Sequence, residues 1–118
     1  MRYKTKEELI QMKIYISGPI SNDPYHRDCF NKAEEYLNHL GYTVVNPLDI
    51  KEKEFKGPDK EFKLWSYYMR HSIKLLMECD QIYMLENWKE SRGAKIEHKL
   101  ATDLSMPRIY EEEDIERV

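Results

Sequence analysis

Glycine, cysteine and long apolar runs are all scarce in this chain. Of 118 residues, four are glycine and two are cysteine. Cys29 and Cys79 lack both the pairing pattern of a disulfide framework and the close spacing of a metal site, so reduced thiols packed on helices are expected. His26, His39, His71 and His98 are scattered without metal-ligand spacing either. No apolar run approaches the ~20 residues that span a bilayer, and the polar N-terminus, Met1-Arg2-Tyr3-Lys4, carries no signal-peptide pattern. The net charge is only −3, with Lys and Arg interleaved among Asp and Glu, which argues against a nucleic-acid-binding surface. There is no internal repeat and no low-complexity segment. The expectation is a cytoplasmic protein without metal or cofactor that binds neither membrane nor nucleic acid.

What the chain does have is one domain's length, 1–118, and enough apolar content for a single modest core. Nine tyrosines, two tryptophans and six methionines serve core filling first, and a protein face or a base-stacking pocket second. Lys13-Ile14-Tyr15-Ile16-Ser17 alternates like a strand and is broken by Gly18-Pro19. Residues 18–27 read as a loop. From His26 to Leu40 the apolar positions Phe30, Ala33, Tyr36, Leu37 and Leu40 have helical period, and Gly41 is a natural stop. Thr43–Val45 is a second strand. Residues 47–60 form a long charged loop of the kind used as a lid, binding loop or partner arm. Residues 61–78 predict a helix with Phe62, Trp65, Met69, Ser72, Ile73 and Leu76 on its inward stripe. Asp80–Leu85, residues 92–105 and Pro107–Tyr110 predict strand, helix and strand. A short polar helix over 3–11 and an acidic tail over 111–118, read as a solvated turn or helix end, flank this core of 12–110. Alternating strands and helices imply an α/β fold: a parallel, flavodoxin-like or Rossmann-like sheet of four to five strands with helices on both faces. Ligands in such sheets bind beyond the carboxyl ends of the strands. The loops 17–27, 46–60 and 86–93 converge there.

The richest stretch for chemistry is Trp88-Lys89-Glu90-Ser91-Arg92-Gly93-Ala94, which leads into a helix carrying Glu97. Small residues let a ligand approach the backbone, and a helix start offers unpaired N–H groups and a positive dipole end. Glu97 lies six residues after Ser91, so both can face one pocket. There it is either a surface carboxylate or a nucleophile that attacks a sugar anomeric carbon through a covalent intermediate. Ser91 is a helix N-cap or a phosphate grip, and Arg92 adds a fork-shaped cation suited to phosphate. Ser17 and Gly18 make a second small polar turn. Neither turn is a dinucleotide fingerprint or a P-loop. Tyr15 either joins the core or reaches a carboxylate with its hydroxyl. Trp88 either stacks on a base or packs its loop. Asp80 is best read as capping nearby backbone, and His98 points about a quarter turn away from Glu97.

Taken together, Ile14-Tyr15-Ile16-Ser17-Gly18-Pro19, Val45-Asn46-Pro47, Cys79-Asp80-Gln81-Ile82-Tyr83 and Ser91-x-Gly93-Ala94-x-x-Glu97 resemble the nucleoside 2-deoxyribosyltransferase superfamily. Tyr68-Met69-Arg70 and the turn from Trp88 to Ala94 are similar to its small, uncharacterised phage and bacterial branch. The likeness covers roughly residues 12–110 and lies in the order and spacing of these pieces. It implies cleavage or transfer of the N-glycosidic bond of a deoxynucleoside or its 5′-monophosphate. By the same likeness, Glu97 corresponds to the nucleophile at C1′ and Tyr15 to the tyrosine that positions it. Ser91 stands where the transferases carry an aspartate for the 5′-hydroxyl and where the related 2′-deoxynucleoside 5′-phosphate N-hydrolases carry a serine for phosphate. A neutral hydroxyl tolerates a phosphate that an aspartate would repel, so a monophosphate is favoured. Ser17 matches a second phosphate-contacting serine. The resemblance also implies a homodimer or higher homo-oligomer, with the aromatic stretch 55–69 as a candidate face.

Two departures stand out. The superfamily's candidate general acid, an aspartate, is replaced by Ser72, and losing such an acid typically costs about 10²–10⁴-fold in rate. A catalytically impaired protein that binds or senses a nucleotide is therefore the alternative reading. Glu86-Asn87 replaces the Pro-Gly turn of close relatives, next to the expected base pocket.

Overall fold

The computed structural model describes residues 12–21 and 23–116. The helix expected over 3–11 lies outside the described residues. Strands β1 (Lys13–Ser17), β2 (Thr43–Val45), β3 (Gln81–Met84) and β4 (Arg108–Tyr110) form one four-stranded sheet, parallel throughout, in the order β2-β1-β3-β4. The helices are α1 (Pro24–His39), α2 (Lys60–Met77), α3 (Arg92–Asp103) and the short α4 (Glu111–Glu116).

Local chemistry sets most of the boundaries. α1 starts two residues before the expected His26, because the Asp23 carboxylate accepts from the Tyr25 N–H at 2.9 Å and Pro24 sits where a missing N–H costs nothing. Its end is a Schellman motif: Gly41 takes φ 100°, its N–H donates to Asn38 O, and the Tyr42 N–H reaches Leu37 O. The charged loop after β2 opens with a 3₁₀ turn, Pro47–Asp49, capped by the buried Asn46, which accepts from the Leu48 N–H. Of the two readings of the acidic tail the structure shows the helix: it forms α4, and the Glu111 carboxylate accepts from the Glu86 N–H at 2.9 Å, tying the tail to the loop after β3. Asp80 behaves as read: its carboxylate accepts from the Lys13 N–H and its own N–H donates to Lys13 O, which clamps the start of β1.

The strand period of two divides the core between the sheet faces. Ile14 and Ile16 pack with Phe30, Ala33 and Leu37 of α1, together with Tyr83 and Leu85. Tyr15 points the other way, into Leu76, Ile82, Met84, Ala94 and Ala101 beneath α2 and α3. Each such side chain contributes about 1.5–3 kcal/mol by burial, so a one-residue slip of β1 would be prohibitive. Phe62 corrects the inward stripe of α2: it is 64% exposed near the start of the helix, whose buried side chains are Ser72 and Leu76. Cys79 is buried in the turn before β3 rather than on a helix, and burial pushes its thiol up to about 11, so it is an inert packing group.

Strand order places the site. The chain runs from β1 outward to β2, then crosses back over β1 to β3, so the order reverses between β1 and β3. α1 therefore covers one face and α2 and α3 the other. The ends of β1 and β3 open into a crevice at this reversal. Gly18 turns the chain there because no side chain fits: a Cβ would lie 2.7 Å from Leu85 Cδ1 and 3.0 Å from Leu85 Cβ. Gly18→Ala is expected to destabilise by about 1–3 kcal/mol through overpacking. An unchanged urea midpoint would show that Leu85 yields freely.

Candidate active site

α3 is built to carry a carboxylate inward. Ser91 caps it by accepting from the Ala94 N–H at 3.1 Å. The buried positions Ala94, Glu97 and Ala101 then recur on one stripe against the sheet. The small alanines leave room, and Glu97 fills it at 4% exposure. From β1, Tyr15 and Ser17 project to the same face two residues apart. The Tyr15 hydroxyl donates to Glu97 Oε2 at 2.5 Å and the Ser17 hydroxyl to Oε1 at 2.7 Å. Ser72 of α2 joins the cluster, buried, with its hydroxyl donating to Met69 O at 3.1 Å.

The electrostatics follow from burial without a cation. Desolvation holds Glu97 above the usual carboxylate range, while hydrogen bonds from Tyr15 and Ser17, with the Ser72 hydroxyl close by, pull it part of the way back. Burial, and then the charge of Glu97, keep the Tyr15 phenol well above its ordinary value, so Tyr15 remains the donor of the pair. The result is a carboxylate stripped of water, oriented through both oxygens, and available to a positively polarised carbon.

Glu97 opens into a cleft of about 70 Å³, walled by Gly18 and Ile20 after β1, by Trp65, Met69 and Ser72 of α2, and by Ser91, Gly93 and Ala94 at the start of α3. Gly18, Ser72, Ser91, Gly93 and Glu97, singled out from the sequence, thus meet in one place. Gly93 lies close under α2: a Cβ there would sit 2.8 Å from Met69 Sδ, so the flexible end of Met69 would have to move. Ser17 is displaced from its expected role. It is fully buried, and its single proton goes to Glu97, so it steadies the carboxylate instead of facing phosphate. Arg92 is exposed and lays its guanidinium over the Trp65 ring, 4.3 Å from the centroid, outside the lining of the cleft. Trp88 takes the packing role: it stacks on His98 with centroids 4.2 Å apart and does not line the cleft. His98 completes that cluster through Nε2 and the Tyr110 hydroxyl, 2.8 Å apart.

The aromatic that does border the cleft is Trp65, which the sequence offered as core and as part of a candidate oligomer face, not as a site residue. Its position four and seven residues before Met69 and Ser72, on one α2 stripe, was the available signal. Ile20 and Trp65 also wall a second, adjoining cleft of about 310 Å³ that includes Arg27, Glu52, Glu61 and Tyr68. No group of three or more His, Cys, Asp or Glu side chains suited to a metal occurs among the described residues. Nor is any helix among them long and apolar enough to cross a membrane.

Comparison with known proteins places this geometry in context. Residues 12–110 match the family model described as Domain of unknown function (DUF4406). No curated protein matches the chain. Among solved structures it is similar to a 2-deoxyribosyltransferase from the psychrotolerant bacterium Bacillus psychrosaccharolyticus, described as a biocatalyst for nucleoside synthesis. The TM-score is 0.63 at 24% identity, over 83% of this chain and 70% of that one, a likeness of fold.

Proposed function

The chain belongs to the family described as domain of unknown function DUF4406, and we propose that it cleaves or transfers the N-glycosidic bond of a deoxynucleoside 5′-monophosphate with Glu97 as nucleophile. One observation carries this reading: a buried carboxylate, held by Tyr15 and Ser17, faces a cleft at the sheet's reversal point beside the start of α3. Each carboxylate oxygen has a further lone pair after accepting one hydrogen bond. Glu97 can therefore attack C1′ while Tyr15 and Ser17 keep it aimed. A glycosyl–enzyme ester forms as the base departs, and water or a second base then resolves it. The fold it shares with a 2-deoxyribosyltransferase supports the same reading.

The phosphate preference is supported by Ser91 and the N-terminus of α3, which border the same cleft. A hydroxyl that accepts from Ala94 N–H still has its proton to donate. Ser91→Ala is expected to weaken monophosphate binding more than free nucleoside binding, and to cost about 1 kcal/mol of stability as a lost cap. Calorimetric titration with both ligands checks this, and equal losses would remove the case for the phosphate.

The test of the reaction is mass spectrometry of products from a mixed deoxynucleotide pool. Released base that disappears in Glu97→Ala supports an enzyme. Ser72 in the cleft, where a carboxylic acid would help the base leave, favours the second reading of a nucleotide-binding protein. Tight binding without release, in wild type and Glu97→Gln alike, would establish it.

A further inference from the structure

Accepting Glu97 as nucleophile leaves the departing base without an obvious acid. Ser72 is buried beside Glu97, and a hydroxyl is too weak an acid to protonate a leaving base. The next space along is the cleft of about 310 Å³ that shares the Ile20 and Trp65 walls. Its polar lining is Ser21 before α1, Arg27 on α1, Glu52 in the loop after β2, and Glu61 and Tyr68 on α2. A cation, Arg27, and two carboxylates, Glu52 and Glu61, thus line one cleft together with the Trp65 and Tyr68 rings.

We propose that this cleft takes an oxo-base, a lactam of the guanine, uracil or thymine type, and that Arg27 stabilises it as it leaves as an anion. The proposal rests on the reading of Glu97 as nucleophile. A lactam presents a carbonyl oxygen next to an N–H. A guanidinium donates to the first and carries a charge that no working pH removes. A carboxylate, Glu52 or Glu61, accepts from the second. The flat Trp65 side is where the ring stacks. An aminopurine has no exocyclic oxygen, and its amino group would face the guanidinium donor to donor. Cytosine keeps a carbonyl but offers an acceptor where the carboxylate needs a donor.

The step balances without an acid. A Glu97 oxygen bonds to C1′ as the C1′–N bond breaks, and the electron pair passes onto the base and delocalises to the oxygen held by Arg27. Water protonates the base after departure. A second water then attacks C1′, frees the Glu97 carboxylate, and releases the proton that balances the one taken up.

The experiment measures base release from dUMP, 5-fluoro-dUMP, dGMP and dAMP by wild type, Arg27→Ala and Arg27→Lys. Wild type is expected to cleave 5-fluoro-dUMP faster than dUMP, since its base is the better anion, and dAMP at least tenfold more slowly than dUMP. Arg27→Ala should lower kcat on dUMP by about 10²-fold, the usual effect of removing one donor to developing charge. It should also widen the 5-fluoro advantage, while binding of 2-deoxyribose 5-phosphate stays as in wild type. Arg27→Lys should restore part of the rate. If dAMP is cleaved as fast as dUMP, or Arg27→Ala leaves the 5-fluoro ratio unchanged, the proposal fails while the Glu97 reading stands. Absence of release from every nucleotide sinks both.

Discussion

With glutamine at position 97, base release is expected to fall by at least about 10⁴-fold, the scale of losing a covalent nucleophile. The same substitution should raise the melting temperature at neutral pH. The reason is the burial that holds the Glu97 pKa above its ordinary value. Between the unfolded-state and folded-state pKa, the native protein binds more protons than the unfolded chain, so stability falls as pH rises through that window and stays lowered above it. A neutral amide never carries this penalty. It keeps one acceptor for Tyr15, and its N–H can donate to Ser17, whose hydroxyl turns to accept. The advantage of Glu97→Gln should shrink as pH drops and vanish below the ordinary carboxylate range, where wild-type Glu97 is neutral in both states. Thermal melts across pH 3–8, a range set by the ordinary carboxylate pKa of about 4.3, compare the two proteins. A variant less stable than wild type at neutral pH would mean that the hydroxyl bonds from Tyr15 and Ser17 outweigh desolvation.

Tyr15→Phe should act on the same carboxylate from the opposite direction. The phenol donates to Glu97 Oε2 at 2.5 Å and lowers its pKa. Without it the carboxylate becomes harder to ionise, so the acid limb of the pH–rate profile moves upward. A hydrogen bond to a charged group is worth about 1.5–3 kcal/mol, which predicts a rate loss of roughly 10–10²-fold above that limb. The ring still fills the space between Leu76, Ile82 and Ala94, so the fold should hold. Ser17→Ala removes the bond to the other oxygen and should shift the limb in the same direction. A Tyr15→Phe profile that drops in height without moving would separate positioning from ionisation and assign the phenol to positioning alone.

These effects trace to features of unequal legibility. The strands β1 and β3 were readable because Ile14, Ile16, Ile82 and Met84 are short apolar runs bounded by turn residues. Gly41 announced the end of α1 because only that residue takes φ 100° cheaply. The start of α1 was misjudged because Asp23-Pro24 was read as turn chemistry, and the same two residues make an Asx cap with proline at the first helical position. Phe62 was misplaced because periodicity records the face of a helix but not how far along its length the sheet extends. Of the two readings open for Trp88, the structure shows the packing one, while Trp65 borders the cleft. Each is an aromatic at a helix or turn, and only the path of the chain decides which one borders the cleft.

Spacing along a single element was enough to put Ser91 and Glu97 on the same side of α3 and to send Tyr15 away from Ile14 and Ile16, because helix and strand periods are local properties. Contacts between elements far apart in the chain were not open to that logic. Ser17 meeting Glu97, Ser72 lying in the same cleft as Glu97, and Arg27, Glu52 and Glu61 lining a second cleft depend on how β1, α1, α2 and α3 pack, which a pattern of residues along one element does not decide.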